Sequence, residues 1–346
     1  MTTVLALETS CDDTCAAVLE SPDSVRSNVV SSQDDIHNRY QGVVPELASR
    51  RHCEIINVVL RDALNQADRS FGDLDGVAVT FGPGLIGSLL TGVAGAKSVA
   101  ARFDLDLIPV NHIEAHVYSI ELEHEIPYPY ISLVASGGHT VLFEVRGPRE
   151  YQVLGHTRDD AAGEAYDKVA KMLDLGYPGG PRIESTAREG TPDIDFPRPT
   201  LRGSKRWSWS LEDFDFSFSG IKTAVYYHLR DHAEADPANV AASFQQAVND
   251  VLVYKTLRAA EDRSCRRIAV GGGVAANGPL RETFRERAEK TDREVYFPSL
   301  EYCTDNAAMI GYRSYAVDDR AGLDLNAQPR LSNFTDKTAQ GEAVRE

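Results

Sequence analysis

The chain has 346 residues, 42% of them hydrophobic and 25% charged, which supplies apolar material for two cores and excludes an intrinsically disordered chain. The 52 acidic and 36 basic residues leave a formal net charge of −16, which excludes a nucleic-acid binder driven by overall charge but leaves room for a local basic strip. Five cysteines, odd in number and without a CxxC pair, exclude a disulfide framework and a zinc knuckle.

The start, Met1-Thr-Thr-Val-Leu-Ala-Leu-Glu8, lacks the basic region and long apolar run of a signal peptide. The most apolar stretch, Leu85 to Ala101, is interrupted by Ser88, Thr91, Lys97 and glycines, whereas a membrane span needs about 20 apolar residues. A cytoplasmic protein without membrane contact is expected. Val4-Leu-Ala-Leu7 and Cys15-Ala-Ala-Val-Leu19 read as two strands joined by a polar turn. Gly76-Val-Ala-Val-Thr80 reads as a buried strand, Phe81-Gly-Pro-Gly84 as a turn, and Leu85 to Arg102 as a helix. Leu107-Ile-Pro-Val110 is another strand, and a helix opens near Ile113. The hairpin shape then returns as Ile131-Ser-Leu-Val-Ala135, Ser136-Gly-Gly-His-Thr140 and Val141-Leu-Phe-Glu-Val145, which suggests an internal duplication. Ala161 to Leu175 has helical spacing and stops at Gly176, and Tyr177-Pro-Gly-Gly-Pro181 reads as a turn. Residues 190–215 read as a long exposed loop and Val240 to Glu261 as a strongly amphipathic helix. Arg267-Ile-Ala-Val270 is a strand that feeds Gly271-Gly-Gly273 and a helix from Asn277 to Lys290. The class is α/β with two similar lobes. The first spans 1–125, completed by helices from 304–320; the second spans 126–303; a loose tail covers 321–346.

In His112-Ile-Glu-Ala-His116 the histidines lie four apart, about 40° around a helix, so both imidazoles can reach one ion. The same spacing suits two surface histidines at a helix start. The spacing resembles the metalloprotease H-E-x-x-H helix, but Glu114 falls about 200° round from His112 and cannot serve as the base. Asp305 is a candidate third ligand and, equally, a cap for the helix that follows it. Ser136-Gly-Gly-His139 can form a nest for phosphate oxygens or merely a tight hairpin turn. Gly271-Gly-Gly-Val-Ala-Ala276 fits the G-x-G-x-x-G/A form, but no acid ends the next strand, so we read a nucleotide loop and not an NAD site. Arg198, Arg202, Lys205 and Arg206, with Trp207 and Trp209 behind them, make a basic-aromatic strip. Such a strip suits nucleic-acid phosphates and bases, or an ordinary solvated loop.

Eight strings together resemble one family. They are Glu8-Thr-Ser-Cys-Asp-Asp-Thr14, Gly82-Pro-Gly-Leu-Ile-Gly-Ser-Leu89, Asn111-His-Ile-Glu-Ala-His116, Ala135-Ser-Gly-Gly-His-Thr140, Tyr177-Pro-Gly-Gly-Pro181, Phe216-Ser-Phe-Ser-Gly-Ile-Lys222, Gly271-Gly-Gly-Val-Ala-Ala-Asn277 and Cys303-Thr-Asp-Asn306. In this order, over about residues 4–313, they resemble the TsaD (Gcp, Kae) family of tRNA N6-adenosine threonylcarbamoyltransferases. The resemblance implies an actin/Hsp70/sugar-kinase type fold of two duplicated α/β lobes around a nucleotide cleft. It implies transfer of a threonylcarbamoyl group from threonylcarbamoyl-AMP to N6 of adenosine 37 in tRNA, releasing AMP. His112, His116 and Asp305 match its metal ligands, with Fe2+ or Zn2+ as the ion. Val134, Ala135, Ser136, Gly137 and Gly138 match its phosphate and acyl loop, and Asp167, Gly180, Glu184 and Asn277 match positions around the adenosine and ribose. Val134 stands where the archaeal and eukaryotic branch has a tyrosine able to reach the metal, and Glu184 stands where many relatives have aspartate. The family works with a paralogue lacking the metal site, an ATPase and the synthase that makes threonylcarbamoyl-AMP.

An activated anhydride needs no covalent nucleophile, so we expect direct acyl transfer, with Asp12 accepting the proton from N6; a turn-stabilising role suits Asp12 as well. The rival readings are a nucleotide-dependent small-molecule kinase of the same fold, a metalloprotease, and a non-catalytic scaffold.

Overall fold

Val4–Glu8 is buried at every position, which is what a central strand covered on both faces requires. The computed structural model describes residues 2–198 and 214–331. The described residues divide into two units, one formed by those up to Glu125 together with 304–331, the other by those within Ile126–Cys303.

The first unit is built on a five-stranded sheet of β1 (Val4–Glu8), β2 (Thr14–Ser21), β3 (Ser24–Ser31), β4 (Gly76–Gly82) and β5 (Asp106–Asn111), in the order β3-β2-β1-β4-β5. β1, β2 and β3 are antiparallel neighbours, while β4 runs parallel to β1 and β5 parallel to β4. Leu5, Leu7, Ala16, Val18, Val77 and Val79 form its core with Ile56, Val59 and Leu60 of the helix Pro45–Gln66 and with Val93 and Ala96 of the helix Ile86–Phe103. The second unit repeats the plan with β6 (Tyr130–Ala135), β7 (Thr140–Gly147), β8 (Glu150–His156), β9 (Arg267–Gly271) and β10 (Glu294–Tyr296), ordered β10-β9-β6-β7-β8. Its pairings are again antiparallel for β6·β7 and β7·β8 and parallel for β6·β9 and β9·β10. The same strand order and polarity twice over is the duplication that the two hairpins suggest.

Three expectations need correction. Val240 to Glu261 is not the strongly amphipathic helix expected. It belongs to the helix Pro237–Asp262, which is buried along nearly its whole length, from Val240 to Ala260, and forms the spine of the second core. The glycine-proline turn at 177–181 is cut short by the helix Gly179–Ala187, because Pro181 sits in the first turn, where its missing N–H costs nothing. The tail expected from 321 is docked as far as residue 331: Ala321 N–H donates to Leu107 O (2.8 Å), and Leu325 and Ala327 pack on the first core.

Glycine is obligatory where β9 leaves the sheet. Gly272 has φ +85°, and a Cβ there would sit 2.4 Å from the Ala135 carbonyl oxygen at the end of β6. Gly272→Ala should therefore lower stability by about 2–4 kcal/mol, the sum of a left-handed backbone and an overpacked contact, measured by urea unfolding.

Candidate active site

Asn111 begins the helix His112–Tyr118, its side chain accepting the backbone N–H groups of Ile113 (2.9 Å) and Glu114 (3.2 Å). The cap places His112 and His116 one turn apart on one face, their rings edge to face with centroids 4.7 Å apart. Asp305, distant in sequence, joins them. Its Oδ1 is 3.0 Å from His116 Nε2 and 3.8 Å from His112 Nε2. Capping of the following helix Ala307–Ser314 is done by Asn306, which accepts Met309 N–H, so Asp305 serves the histidines and not the helix end. Glu114, the misplaced acid of the His-x-Glu-x-His string, pairs with Arg313 (3.2 Å).

Behind His112 lies Glu8, to which the sequence reading gives no role of its own. It is fully buried, and its carboxylate accepts His112 Nδ1–H (3.0 Å), Thr80 Oγ1–H and the Ser10 backbone N–H. Ser10 Oγ also lies 3.2 Å from His112 Nδ1. Engaging Nδ1 in this way turns Nε2 of His112 toward Asp305, the arrangement by which carboxylates orient metal-ligating imidazoles. Burial works against charge on both partners, but their mutual attraction prevails. His112 opposes the effect of burial and holds the Glu8 carboxyl below its ordinary range, and Glu8 with Asp305 pushes His112 up to about 9.

The three side chains fit a metal ion. Their ligand atoms all lie within 4.8 Å of one another, and two imidazoles with one carboxylate are a donor set used for zinc and for non-haem iron. Nδ1 of His116 is buried with no hydrogen-bond partner among the described residues, so the protein leaves one ring nitrogen of this pair unclaimed.

Asp12 lies in the β1–β2 turn, half-buried beside Cys11 and Asp13. Burial, then the charges of Asp12 and Asp305, push the Cys11 thiol well above its ordinary range; burial and the same acidic surroundings do so for Cys15. Neither cysteine is a ready thiolate nucleophile. Asp13 too is raised well above the usual carboxylate range, by burial and by Asp12, Asp305 and Asp34.

In the second unit Val134 and Ala135 end β6, and Ser136 to His139 form the turn into β7. Ser136 N–H donates to His139 O (2.8 Å), so the turn consumes that donor, and the expected Ser136–Gly138 set reduces to Gly137 and Gly138. Open space lies where Cβ atoms would stand at both glycines. Gly163, at the start of the helix Ala162–Met172, packs against the turn, with a Cβ there falling 2.6 Å from Ser136 O. Asp167 Oδ1 accepts Gly179 N–H (2.7 Å) and thereby fixes the neighbouring Gly180, which also faces open space. Glu184 accepts from Asn277 Nδ2 (3.3 Å) and pairs with Arg188 (2.9 Å). Asn277 caps the helix Gly278–Glu289 through Leu280 N–H and gives its other amide proton to Gln245 (2.8 Å). Gln245 is buried in the long central helix, and no string marks it in the sequence.

Arg198 is not a phosphate contact. It is nine-tenths buried, with Nε and Nη2 on Asp250 (3.1 and 2.7 Å) and Nη1 on Phe196 O. Arg202, Lys205 and Arg206, with both tryptophans, lie outside the described residues. Among the described residues no helix is long and apolar enough to cross a membrane.

Two repeated five-stranded units place the chain in the actin/Hsp70/sugar-kinase class of folds. Solved structures agree on the fold. Full-length HypF in a phosphate- and nucleotide-bound form matches 91% of this chain and 55% of its own, with TM-score 0.61 and 14% identity. The activator of 2-hydroxyisocaproyl-CoA dehydratase from Clostridium difficile matches 91% and 94%, with TM-score 0.53 and 14% identity. The sequence profile described as "TsaD: tRNA N6-adenosine threonylcarbamoyltransferase" matches residues 24–312. Proteins of that name are 50% identical in Syntrophotalea carbinolica, over 94% of this chain and 95% of the relative, and 48% identical in Bacillus cereus, over 95% and 96%. The chain belongs to the TsaD family and is an enzyme of the transferase class.

Two outcomes follow. Glu8→Gln should weaken metal affinity roughly 10–100-fold, read by chelator competition. Because His112 carries its proton up to about pH 9, an ion must displace that proton; apparent affinity should rise up to about tenfold per pH unit through neutrality and level off near pH 9.

Proposed function

We propose that this chain transfers the threonylcarbamoyl group of threonylcarbamoyl-AMP to N6 of adenosine 37 in tRNAs that read codons beginning with adenine. The observation that carries the reading is the meeting of His112, His116 and Asp305 in a chain half identical to proteins named for this transfer. The amine nitrogen attacks the carbamoyl carbon and forms the new N–C bond as the C–O bond to phosphate breaks. AMP leaves with the electron pair, and N6 loses a proton. No covalent enzyme intermediate is required, and the raised Cys11 and Cys15 thiols accord with that.

His112, His116 and Asp305 would hold a divalent ion, Fe2+ or Zn2+, which would supply Lewis acidity to the threonylcarbamoyl carbonyl. Glu8 keeps His112 in the tautomer that offers Nε2. The N–H groups of Gly137 and Gly138 hold the phosphate, with no side chain obstructing them. Asp167 and Gly180 shape the adenosine site, and Glu184, locked by Asn277 and Gln245, faces the ribose. Asp12 accepts the proton from N6. Asp13, beside Asp12 in the same turn and with its carboxyl raised by burial and by the acids around it, is the second reading for that role.

tRNA must approach a chain of charge −16, so positive surface has to come from Arg202, Lys205 and Arg206 or from associated subunits. A metal-lacking paralogue, an ATPase and the synthase of the activated intermediate are the partners we assign. With tRNA as substrate, the cytoplasm is the compartment we assign.

The test is mass analysis of nucleosides from tRNA incubated with this chain, threonine, bicarbonate, ATP and the synthase. A mass gain on adenosine that requires this chain supports the reading, and its absence contradicts it. His116→Ala with Asp305→Asn leaves the Glu8–His112 pair in place, so it should fold while losing both metal content and transfer. Asp12→Asn should keep its metal and lose about 10²–10⁴-fold in transfer rate.

A further inference from the structure

The docked C-terminal segment reaches the metal centre through a short series of backbone contacts, all within the first unit. Gln328 N–H donates to Phe81 O (2.7 Å) at the end of β4, and Gly84 N–H donates to Pro329 O (3.3 Å). The two backbones touch at Gly82, where a Cβ would fall 1.9 Å from Gln328 O. On its other side the same glycine-proline-glycine turn presses on Ser10. A Cβ at Gly84 would lie 2.4 Å from Ser10 O, and Leu85 N–H donates to that oxygen (2.7 Å). Ser10, in turn, lies 3.2 Å from His112 Nδ1 and gives its N–H to Glu8.

We propose that residues 321–331 form a positioning strap for the metal centre, acting through the Gly82–Gly84 turn and Ser10 on His112. The inference rests on His112, His116 and Asp305 holding an ion. The physical reason is packing. Gly82 and Gly84 carry no side chains, so the turn fits between strap and Ser10 at backbone contact distance and has no slack of its own. With the strap gone, the turn loses its outer wall and Phe81 O loses its donor, and Ser10 is then free to shift away from His112 Nδ1. The strap is held mainly by backbone bonds: Gln328 and Pro329 are exposed, and only Ala321, Leu325, Ala327 and Leu331 of its residues are partly buried. This explains how a segment of weak sequence pattern adopts one path.

The experiment measures binding of Co2+ alone, by its visible absorption, to the full chain, to a chain ended after Arg320, to Gln328→Pro, to Ser10→Ala and to Ser10→Ala in the shortened chain. Far-UV circular dichroism and thermal unfolding report the fold of each. The strap predicts a folded shortened chain whose Kd for Co2+ is raised about tenfold or more, the effect expected of outer-shell partners. Gln328→Pro, which removes one donor, should raise Kd by a smaller factor. Ser10→Ala should add little to the loss in the shortened chain, because both act along one route. If the shortened chain unfolds, Gln328→Pro decides the matter. A folded strap variant with the Kd of the full chain overturns the strap alone, as do shortening and Ser10→Ala effects that simply multiply. A full chain that takes up no Co2+ overturns the metal reading, and the strap with it.

Discussion

The bond between the Glu8 carboxylate and His112 is the constraint on which the site depends. An ion-paired carboxylate buried this completely is costly unless its oxygens find donors, and here His112, Thr80 and the Ser10 amide supply them. Those donors come from a helix start, from β4 and from the first hairpin turn, so one carboxylate ties together three segments widely separated in sequence. It also decides the chemistry. With Nδ1 committed to Glu8, His112 can offer only Nε2, and Asp305 and His116 are what that nitrogen faces.

The duplication separates the tasks. Each unit ends its central strand in a hairpin turn, but the two turns carry different groups. The first bears acids and lies beside the histidines; the second bears Gly137 and Gly138, open where side chains would stand. Gly272 and Gly163 keep the second turn in place by backbone contact, whereas polar bonds and the docked C-terminal segment hold the first. One strand plan thus yields one turn rich in acidic side chains and one built on glycines.

Much of this was legible from residue order. Short apolar runs around polar turns identify both hairpins, and the four-residue spacing of His112 and His116 marks the helix that brings two imidazoles to one face. What stayed hidden is what distant segments bring together. Nothing near Glu8 in the chain shows that it meets His112, and only the structure gives the capping role to Asn306 and leaves Asp305 to the histidines. The helix Pro237–Asp262 misleads because its polar residues, such as Ser243, Gln245, Asn249 and Lys255, are buried with hydrogen-bond partners inside the second unit. Arg198 misleads for the same reason, since a charge in a basic-looking loop turns inward to Asp250. Weak patterning after Arg320 reads as looseness because backbone hydrogen bonds, which leave no trace in side-chain pattern, hold that segment.

The central claim is that His112, His116 and Asp305 share one ion. The most direct measurement is anomalous diffraction from crystals of the protein, collected at the absorption edge of the bound metal. The account predicts a single peak about 2.0–2.2 Å from a nitrogen of each histidine and an oxygen of Asp305. A peak bound elsewhere, or one that reaches the two histidines while Asp305 stays remote, would contradict it.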